Sequence, residues 1–214
     1  MGSLKFSAML RIFLIVLLWG AVGIANAATT IMVFGDSLSA GYGLAQDAGW
    51  VNLLQKRLDR EKYDYKVVNA SLSGETTVGG KNRLSAAIAQ HRPAIVVVEL
   101  GINDGMRGAD IAAVRANLSM MIADCRVHGA RVLLVGMRLP PNYGSGYAGK
   151  FQRMYEELAK SQRVPLVPFL FEGFAADASA FQTDNMHPNA RAQQQMLGTV
   201  WGRLQPMIAR DTIR

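Results

Sequence analysis

Short apolar runs alternate along the chain with longer stretches whose apolar residues recur at helical spacing. Residues 94–98 are apolar without interruption, which is typical of a strand buried on both faces of a sheet. Val51, Leu54 and Leu58 instead recur at the intervals that place them on one face of an amphipathic helix. This alternation of strands with helices predicts an α/β fold with a parallel sheet.

The same pattern gives approximate bounds for the elements. Right-handed crossovers between successive parallel strands favour a three-layer α/β/α sandwich with a five-stranded parallel sheet. Ligands of such folds bind outside the carboxyl ends of the strands, so the loops at that edge are the candidates for function. We predict strands over residues 30–34, 66–69, 94–100, 130–136 and 164–169, and helices over residues 50–60, 78–90, 110–127, 147–162 and 188–208.

The first residues show a different pattern. Two basic residues, Lys5 and Arg11, precede an uncharged and largely apolar run over residues 12–24, which ends in Ala25-Asn26-Ala27. This order is typical of a secretory signal peptide with its cleavage site. The run is shorter than the roughly 20 residues of a membrane-spanning helix, so we favour cleavage, after Ala27 or one residue later, over a membrane anchor.

Composition fits a signal peptide over residues 1–27 followed by one globular domain over residues 28–214, exported to the periplasm or secreted. Half of the 214 residues are apolar and 18% are charged. The net charge of +7 is scattered and forms no basic run with interleaved aromatics, so no nucleic acid is expected as a partner. The single cysteine, Cys125, is interpreted as a buried small hydrophobe, and no metal site is expected.

A serine directly follows the first predicted strand, in the segment Gly35-Asp36-Ser37. At that position its hydroxyl faces a cleft and its own N–H points at a developing oxyanion, as a nucleophile requires. The alternative is a helix cap, since Asp36 and Ser37 are both capping residue types.

Two further loops carry candidate hydrogen-bond donors. Gly74, after the second strand, permits a positive φ and close approach of the backbone, and Asn103, after the third, offers a side-chain amide. The alternatives are an ordinary turn glycine and a turn asparagine. Asp104 is interpreted as ordering its own loop through local backbone groups.

An acid and an imidazole precede the last predicted helix. A serine nucleophile needs a base, and an imidazole needs a carboxylate that orients it. Asp184 and His187 are close enough in sequence for a tight turn to join them, and Pro188 biases His187 towards extended backbone. The alternative is a surface histidine before a helix. The other two histidines, His91 and His128, lie near helix ends and are interpreted as structural.

Together these loops resemble a known family. Ser37, Gly74, Asn103 and His187 fall, in this order, in the four sequence blocks of SGNH (GDSL-type) hydrolases, which have a flavodoxin-like fold. The resemblance is strongest to the bacterial branch of periplasmic thioesterase I, lysophospholipase and arylesterase. It covers residues 30 to about 204, and the segments 35–42, 69–77 and 138–144 carry it.

The resemblance implies a serine hydrolase of acyl esters and thioesters such as fatty acyl-CoA, lysophospholipids or aryl esters. Ser37 is then the nucleophile, His187 the base and Asp184 its orienter. The N–H groups of Ser37 and Gly74 form the oxyanion hole with the Asn103 amide. It implies no cofactor, and nothing requires more than a monomer.

Contacts with the substrate are expected from the loops beside these residues. Ile102 stands where the branch often has a small residue, so it is expected to narrow the cleft, and Asn185 replaces a common glycine. A carbohydrate acetyl esterase on the same fold, or a catalytically silent binding module, remains an alternative. The expected substrate-binding residues are Glu75, Thr76, Ile102, Asp104 and Tyr143.

Overall fold

A computed structural model describes residues 29–209, so the predicted signal peptide lies outside the described residues. Strands and helices alternate throughout. In chain order the elements are β1 (Thr29–Gly35), α1 (Ser37–Ala40), α2 (Trp50–Arg60), β2 (Tyr65–Asn69), α3 (Thr77–His91), β3 (Ile95–Glu99), α4 (Ile102–Met106), α5 (Ile111–Val127), β4 (Arg131–Val135), α6 (Ser145–Gln162), β5 (Leu166–Val167) and α7 (Gln193–Ala209).

The five strands form one parallel sheet in the order β2-β1-β3-β4-β5. Every residue of β3 is buried, as its uninterrupted apolar run predicts, because helices cover both faces of a parallel sheet. From β1 the chain first adds β2 on one side of the sheet and then adds β3, β4 and β5 on the other, so the strand order switches between β1 and β3. The loops after these two strands therefore border the crevice in which such folds bind ligands. Ser37 and Asn103 follow these strands.

Two groups of helices pack on the sheet. Helix α2 packs against α7, while α5 packs against both α3 and α6, which gives the three-layer α/β/α sandwich. Trp50 at the start of α2 and Phe151 in α6 are both fully buried. Burial of each large apolar side chain contributes about 1.5–3 kcal/mol, and this core fixes the sheet edge that carries the loops. Among residues 29–209, no helix has both the length and the apolar character needed to cross a membrane.

Two predicted elements are shorter than expected. Strand β5 spans only Leu166–Val167 because Pro165 and Pro168 flank it, and a proline has no N–H to donate to a neighbouring strand. The last helix begins at Gln193 rather than at Pro188. Pro188 instead forms an isolated antiparallel bridge with Phe181. His187 therefore lies on a long, bridged loop between β5 and α7.

Candidate active site

Ser37 opens a short helix immediately after β1. The Asp36 carboxylate accepts a hydrogen bond of 3.0 Å from the N–H of Leu38 and so caps this helix, α1. Only glycine fits at residue 35, because a Cβ there would lie 2.7 Å from Oε2 of Glu99. The nucleophile and cap interpretations are thus compatible: Asp36 is the cap, and the Ser37 hydroxyl is left to contact another group.

That other group is His187. Nε2 of the imidazole lies 2.9 Å from Oγ of Ser37, although the two residues are 150 positions apart in the sequence. On the other side of the ring, Nδ1 lies 2.7 Å from Oδ2 of Asp184. A ring that donates from Nδ1 to the carboxylate leaves Nε2 as the acceptor for the serine proton. The ring of Tyr42 packs on the imidazole at a centroid distance of 4.6 Å.

A tight turn brings Asp184 back onto His187. Oδ1 of Asp184 accepts hydrogen bonds of 2.9 Å from the N–H groups of Met186 and His187, and Asn185 adopts a left-handed backbone with φ of 55°. The asparagine that replaces glycine in this turn therefore keeps the turn, since asparagine tolerates this region better than most residues. Partial burial opposes ionisation of Asp184, but these N–H groups and the imidazole outweigh it and lower its pKa to about 2.

Three hydrogen-bond donors line the cavity beside Ser37. They belong to residues of its lining: the backbone N–H groups of Ser37 and Gly74 and the side-chain amide of Asn103. Gly74 has a φ of 77°, a left-handed conformation that the sequence allows because the residue is glycine. Among the described residues, neither backbone N–H donates to another group, so both are available to an oxyanion.

The amide of Asn103 is fixed by two acceptors. Nδ2 donates to Oδ2 of Asp36 at 3.1 Å and to the backbone carbonyl of Glu75 at 3.0 Å. Because both partners only accept, they orient the nitrogen rather than the oxygen towards them.

Two buried acids, Asp36 and Glu99, lie against the segment that carries Ser37. Glu99 at the end of β3 accepts a hydrogen bond of 2.7 Å from the Ser39 hydroxyl, and Asp36 lies beside it. Both carboxyls are fully buried. Burial, with the nearby charge of Asp104, raises the pKa of Asp36 to about 7. Burial, with the charge of Asp36, raises the pKa of Glu99 well above its ordinary value.

Four of the five expected substrate-binding residues lie outside the cavity lining. Ile102 lines the cavity, whereas Glu75, Thr76, Asp104 and Tyr143 do not. Thr76 caps α3 through a hydrogen bond from the N–H of Gly79, and Glu75 pairs with Arg83 on that helix. Tyr143 lies in a short helical turn, partly buried against the core.

Asp104 makes long-range rather than local hydrogen bonds. Its two carboxylate oxygens accept from the N–H and the hydroxyl of Thr77, at 2.9 and 2.7 Å. The expectation that the Asp104 side chain bonds local backbone groups was therefore wrong: it ties α4 to the start of α3. Buried polar groups are almost always hydrogen-bonded, and here Thr77 supplies two donors to the buried carboxylate.

An apolar cavity of about 600 Å³ extends away from Ser37 and His187. Part of its lining comes from two segments, the residues after β4 and the aromatic segment after β5. Only Tyr143 of the first segment, and no residue of the second, was expected to contact the substrate. The second segment has phenylalanine at residues 169 and 171; Phe169 lies at the end of a predicted strand, and no role was assigned to Phe171 from the sequence. The lining includes Met106, Met137, Leu139, Phe169, Phe171 and Met186.

The remaining reactive side chains lie elsewhere. Cys125 is fully buried in α5, and burial raises the pKa of its thiol to about 12, so it is not a competing nucleophile. His91 is the last residue of α3, and His128 follows α5, where its ring contacts the carbonyl of Asp124. Both positions fit the structural roles expected of them.

A carboxylate, an imidazole and a serine hydroxyl in one hydrogen-bonded chain, at the carboxyl edge of a parallel sheet, define the class of serine hydrolases. The sequence model of the GDSL-like lipase/acylhydrolase family matches residues 33–195. The chain belongs to this family.

Comparisons with known proteins give the same result. Esterase TesA of Pseudomonas aeruginosa is 49% identical over 182 residues, which cover 85% of this chain and 90% of the relative. Thioesterase 1/protease 1/lysophospholipase L1 of Escherichia coli is 40% identical over 188 residues, with coverages of 88% and 89%. The crystal structure of the psychrotrophic esterase EstA from Pseudoalteromonas sp., inhibited by monoethylphosphonate, superposes with a TM-score of 0.81 at 35% identity and covers 85% of this chain and 99% of EstA. The expected family, fold and enzyme class are thereby confirmed.

Proposed function

We propose that this chain hydrolyses acyl esters and thioesters through an acyl-enzyme on Ser37. The main support for this proposal is that the chain of contacts from Asp184 through His187 to Ser37 ends at a serine that lines an apolar cavity. The chain of contacts supplies a nucleophile with its base, and the cavity supplies a place for an acyl group.

The geometry supports the following sequence of steps. His187 accepts the Ser37 proton at Nε2 as Oγ attacks the carbonyl carbon, and the carbonyl oxygen becomes an oxyanion. The N–H groups of Ser37 and Gly74 and the Asn103 amide stabilise that charge. When the intermediate collapses, the protonated His187 gives its proton to the leaving alcohol or thiol. Water then attacks the acyl-enzyme with His187 again as base, which releases the acid and restores the serine.

The cavity favours an acyl chain over a small acetyl group on a sugar. Its walls are methionine, leucine and phenylalanine side chains, whose flexible and aromatic surfaces suit an extended hydrocarbon. The names of the relatives, an esterase and a thioesterase/lysophospholipase, are consistent with acyl substrates of this kind. We therefore propose fatty acyl thioesters, lysophospholipids or aryl esters as the substrate class.

Location and assembly are inferred from the sequence. The basic start, apolar run and small-residue site of residues 1–27 support cleavage of a signal peptide and a periplasmic or secreted enzyme. Because all three proposed catalytic groups come from one chain, a monomer is sufficient for the proposed chemistry.

A chain-length series tests the proposal. The purified protein without residues 1–27 is assayed on p-nitrophenyl esters and acyl-CoAs from acetyl to palmitoyl, with Ser37→Ala as the control. We expect hydrolysis that improves as the acyl chain lengthens beyond acetyl and is lost in Ser37→Ala. Activity confined to acetyl groups would support the carbohydrate acetyl esterase instead, and no hydrolysis of any ester would support the silent binding module.

A further inference from the structure

We propose that Arg83 is a positioning residue that holds two of the three oxyanion donors in place, because its guanidinium joins both ends of the segment that carries Gly74. This inference rests on the proposed function. Arg83 lies on α3 and does not line the cavity, so any influence on the reaction is exerted through other residues.

The guanidinium bridges two points that flank Gly74. Its Nη1 donates to the backbone carbonyl of Ala70 at 2.7 Å, directly after β2, and its Nε donates to Oε2 of Glu75 at 2.6 Å. The intervening residues 71–74 are therefore closed into a loop by a single side chain. A planar guanidinium fixes both acceptors at once, which the flexible ammonium of a lysine does not do.

Glu75 extends the same connection to the second donor. Its backbone carbonyl accepts the hydrogen bond from Nδ2 of Asn103, and its Oε1 accepts from the N–H of Thr76. Displacement of Glu75 would consequently move the carbonyl that orients the Asn103 amide as well as the adjoining Gly74. Arg83 thus acts on two donors through one neighbour.

The packing around this pair differs from that of an ordinary surface ion pair. The Glu75 side chain is only 11% exposed, and the Arg83 guanidinium carbon lies 3.8 Å from the centre of the Phe34 ring. Gly79 makes room for the carboxylate, because a Cβ there would overlap Oε1 of Glu75. Nη2 of Arg83 is buried and has no hydrogen-bond partner among the described residues. Exposed pairs contribute little to stability, but burial makes the loss of one partner consequential.

The experiment compares Arg83→Met and Arg83→Lys with a matched control, Arg57→Met. Arg57 also pairs with a glutamate, Glu61 at 2.8 Å, but on α2 and outside the active-site cavity. The rates are measured on one acyl ester well below the unfolding temperature. Inhibition is measured with a trifluoromethyl ketone, which binds as a tetrahedral oxyanion adduct, and with the product fatty acid, which does not.

We expect Arg83→Met to lower kcat by roughly tenfold to 100-fold with KM changed less than about threefold, because misplaced groups cost the transition state more than substrate binding. Affinity for the trifluoromethyl ketone should fall in parallel, while affinity for the fatty acid stays the same. Arg83→Lys should fall between wild type and Arg83→Met, and Arg57→Met should resemble wild type.

A second variant covers the case in which Arg83→Met does not fold. Glu75→Gln keeps the backbone carbonyl but weakens the bond to Arg83, and the account predicts the same parallel loss of kcat and ketone affinity, smaller in size. A lowered unfolding temperature with unchanged kcat and ketone affinity in the folded variants would overturn the positioning role. Loss of the proposed function is separate: it would appear as wild-type protein without esterase activity, or as full activity in Ser37→Ala.

Discussion

The carboxylate of Asp184 holds both the backbone and the ring of His187. Oδ1 accepts from the His187 N–H at 2.9 Å, and Oδ2 contacts Nδ1 of the ring at 2.7 Å. One side chain thereby fixes the position of the residue and the tautomer of its imidazole. The consequence reaches Ser37, because only the tautomer protonated at Nδ1 leaves Nε2 free to accept the serine proton.

Replacement of this carboxylate by an amide should therefore disable the base without displacing it. In Asp184→Asn the side-chain oxygen still accepts from the two backbone N–H groups, but the amide NH₂ faces Nδ1 and favours the tautomer protonated at Nε2. We expect kcat to fall about 10³–10⁴-fold, as in other serine hydrolases. Steady-state kinetics on a p-nitrophenyl ester measures the loss.

A control for this variant is present in the same chain. Asp177 also accepts from the N–H two residues on, that of Ser179, but it lies outside the active-site cavity. Asp177→Asn should keep wild-type kcat. Equal losses in the two variants would show that a disturbed turn, rather than a wrong tautomer, causes the effect.

Asn103→Ala tests the oxyanion hole. This change removes a donor, and Oδ2 of Asp36 and the carbonyl of Glu75 each lose the hydrogen bond from the Asn103 amide. We expect kcat to fall about 10²–10³-fold with little change in KM, because the lost bond forms fully only in the transition state. Asn52→Ala, which removes a surface amide bonded to Asp47, serves as the matched control. A KM effect without a kcat effect would place Asn103 in substrate binding instead.

Chain-length preference should respond to the outer wall of the cavity. Ala175 lines the cavity and is exposed, so a larger side chain there narrows the space without disturbing the core. Ala175→Phe is expected to reduce kcat/KM for palmitoyl esters by about tenfold, the scale of hydrophobic-pocket discrimination, and to spare acetyl esters. Ala113→Phe, at an exposed position of α5, is the control. An equal loss for short and long chains would mean that this wall does not contact the acyl group.

The buried Glu99 predicts how stability depends on pH. Its pKa is raised well above the ordinary value of 4.5, chiefly by burial. Above pH 4.5 the unfolded chain releases this proton while the folded chain keeps it, so rising pH destabilises the wild type, by at most about 1.4 kcal/mol per pH unit. Glu99→Gln removes this titration. The unfolding free energy of the variant minus that of the wild type should therefore increase from pH 5 to pH 8.

Urea unfolding at several pH values measures this difference in unfolding free energy. Glu156→Gln, at an exposed glutamate of α6, controls for the general effect of one charge. If the difference between Glu99→Gln and wild type stays constant with pH, or reverses sign, Glu99 is ionised in the folded protein and the assignment is wrong.

Local sequence patterns were sufficient for most of the fold. The apolar run of β3 and the helical spacing in α2 each reflect burial that depends on one element and its immediate neighbours. The prediction for β5 was too long because its apolar residues extend past the two prolines that limit the strand. Pro188, which suits the first turn of a helix, pairs with Phe181 instead, in a bridge that residue type alone does not indicate.

For the site too, some features were predictable from local sequence and others were not. Ser37 and His187 were predicted because their residue types and positions after strands are visible in the sequence, and the structure brings them within 2.9 Å. The Asp36–Glu99 pair was not foreseen, since its members are 63 residues apart and neither belongs to a local motif of paired acids. The aromatic wall of the cavity was missed because phenylalanines after a strand are as consistent with core packing as with a binding surface.

If Ser37 is the nucleophile, a fluorophosphonate should label its hydroxyl covalently. The purified protein is treated with a fluorophosphonate, and the modified peptide is mapped by mass spectrometry. We expect one adduct, on Ser37, that is absent in Ser37→Ala and formed far more slowly in His187→Ala. An adduct on the neighbouring Ser39 or Ser73, or no adduct in the folded wild type, would contradict it.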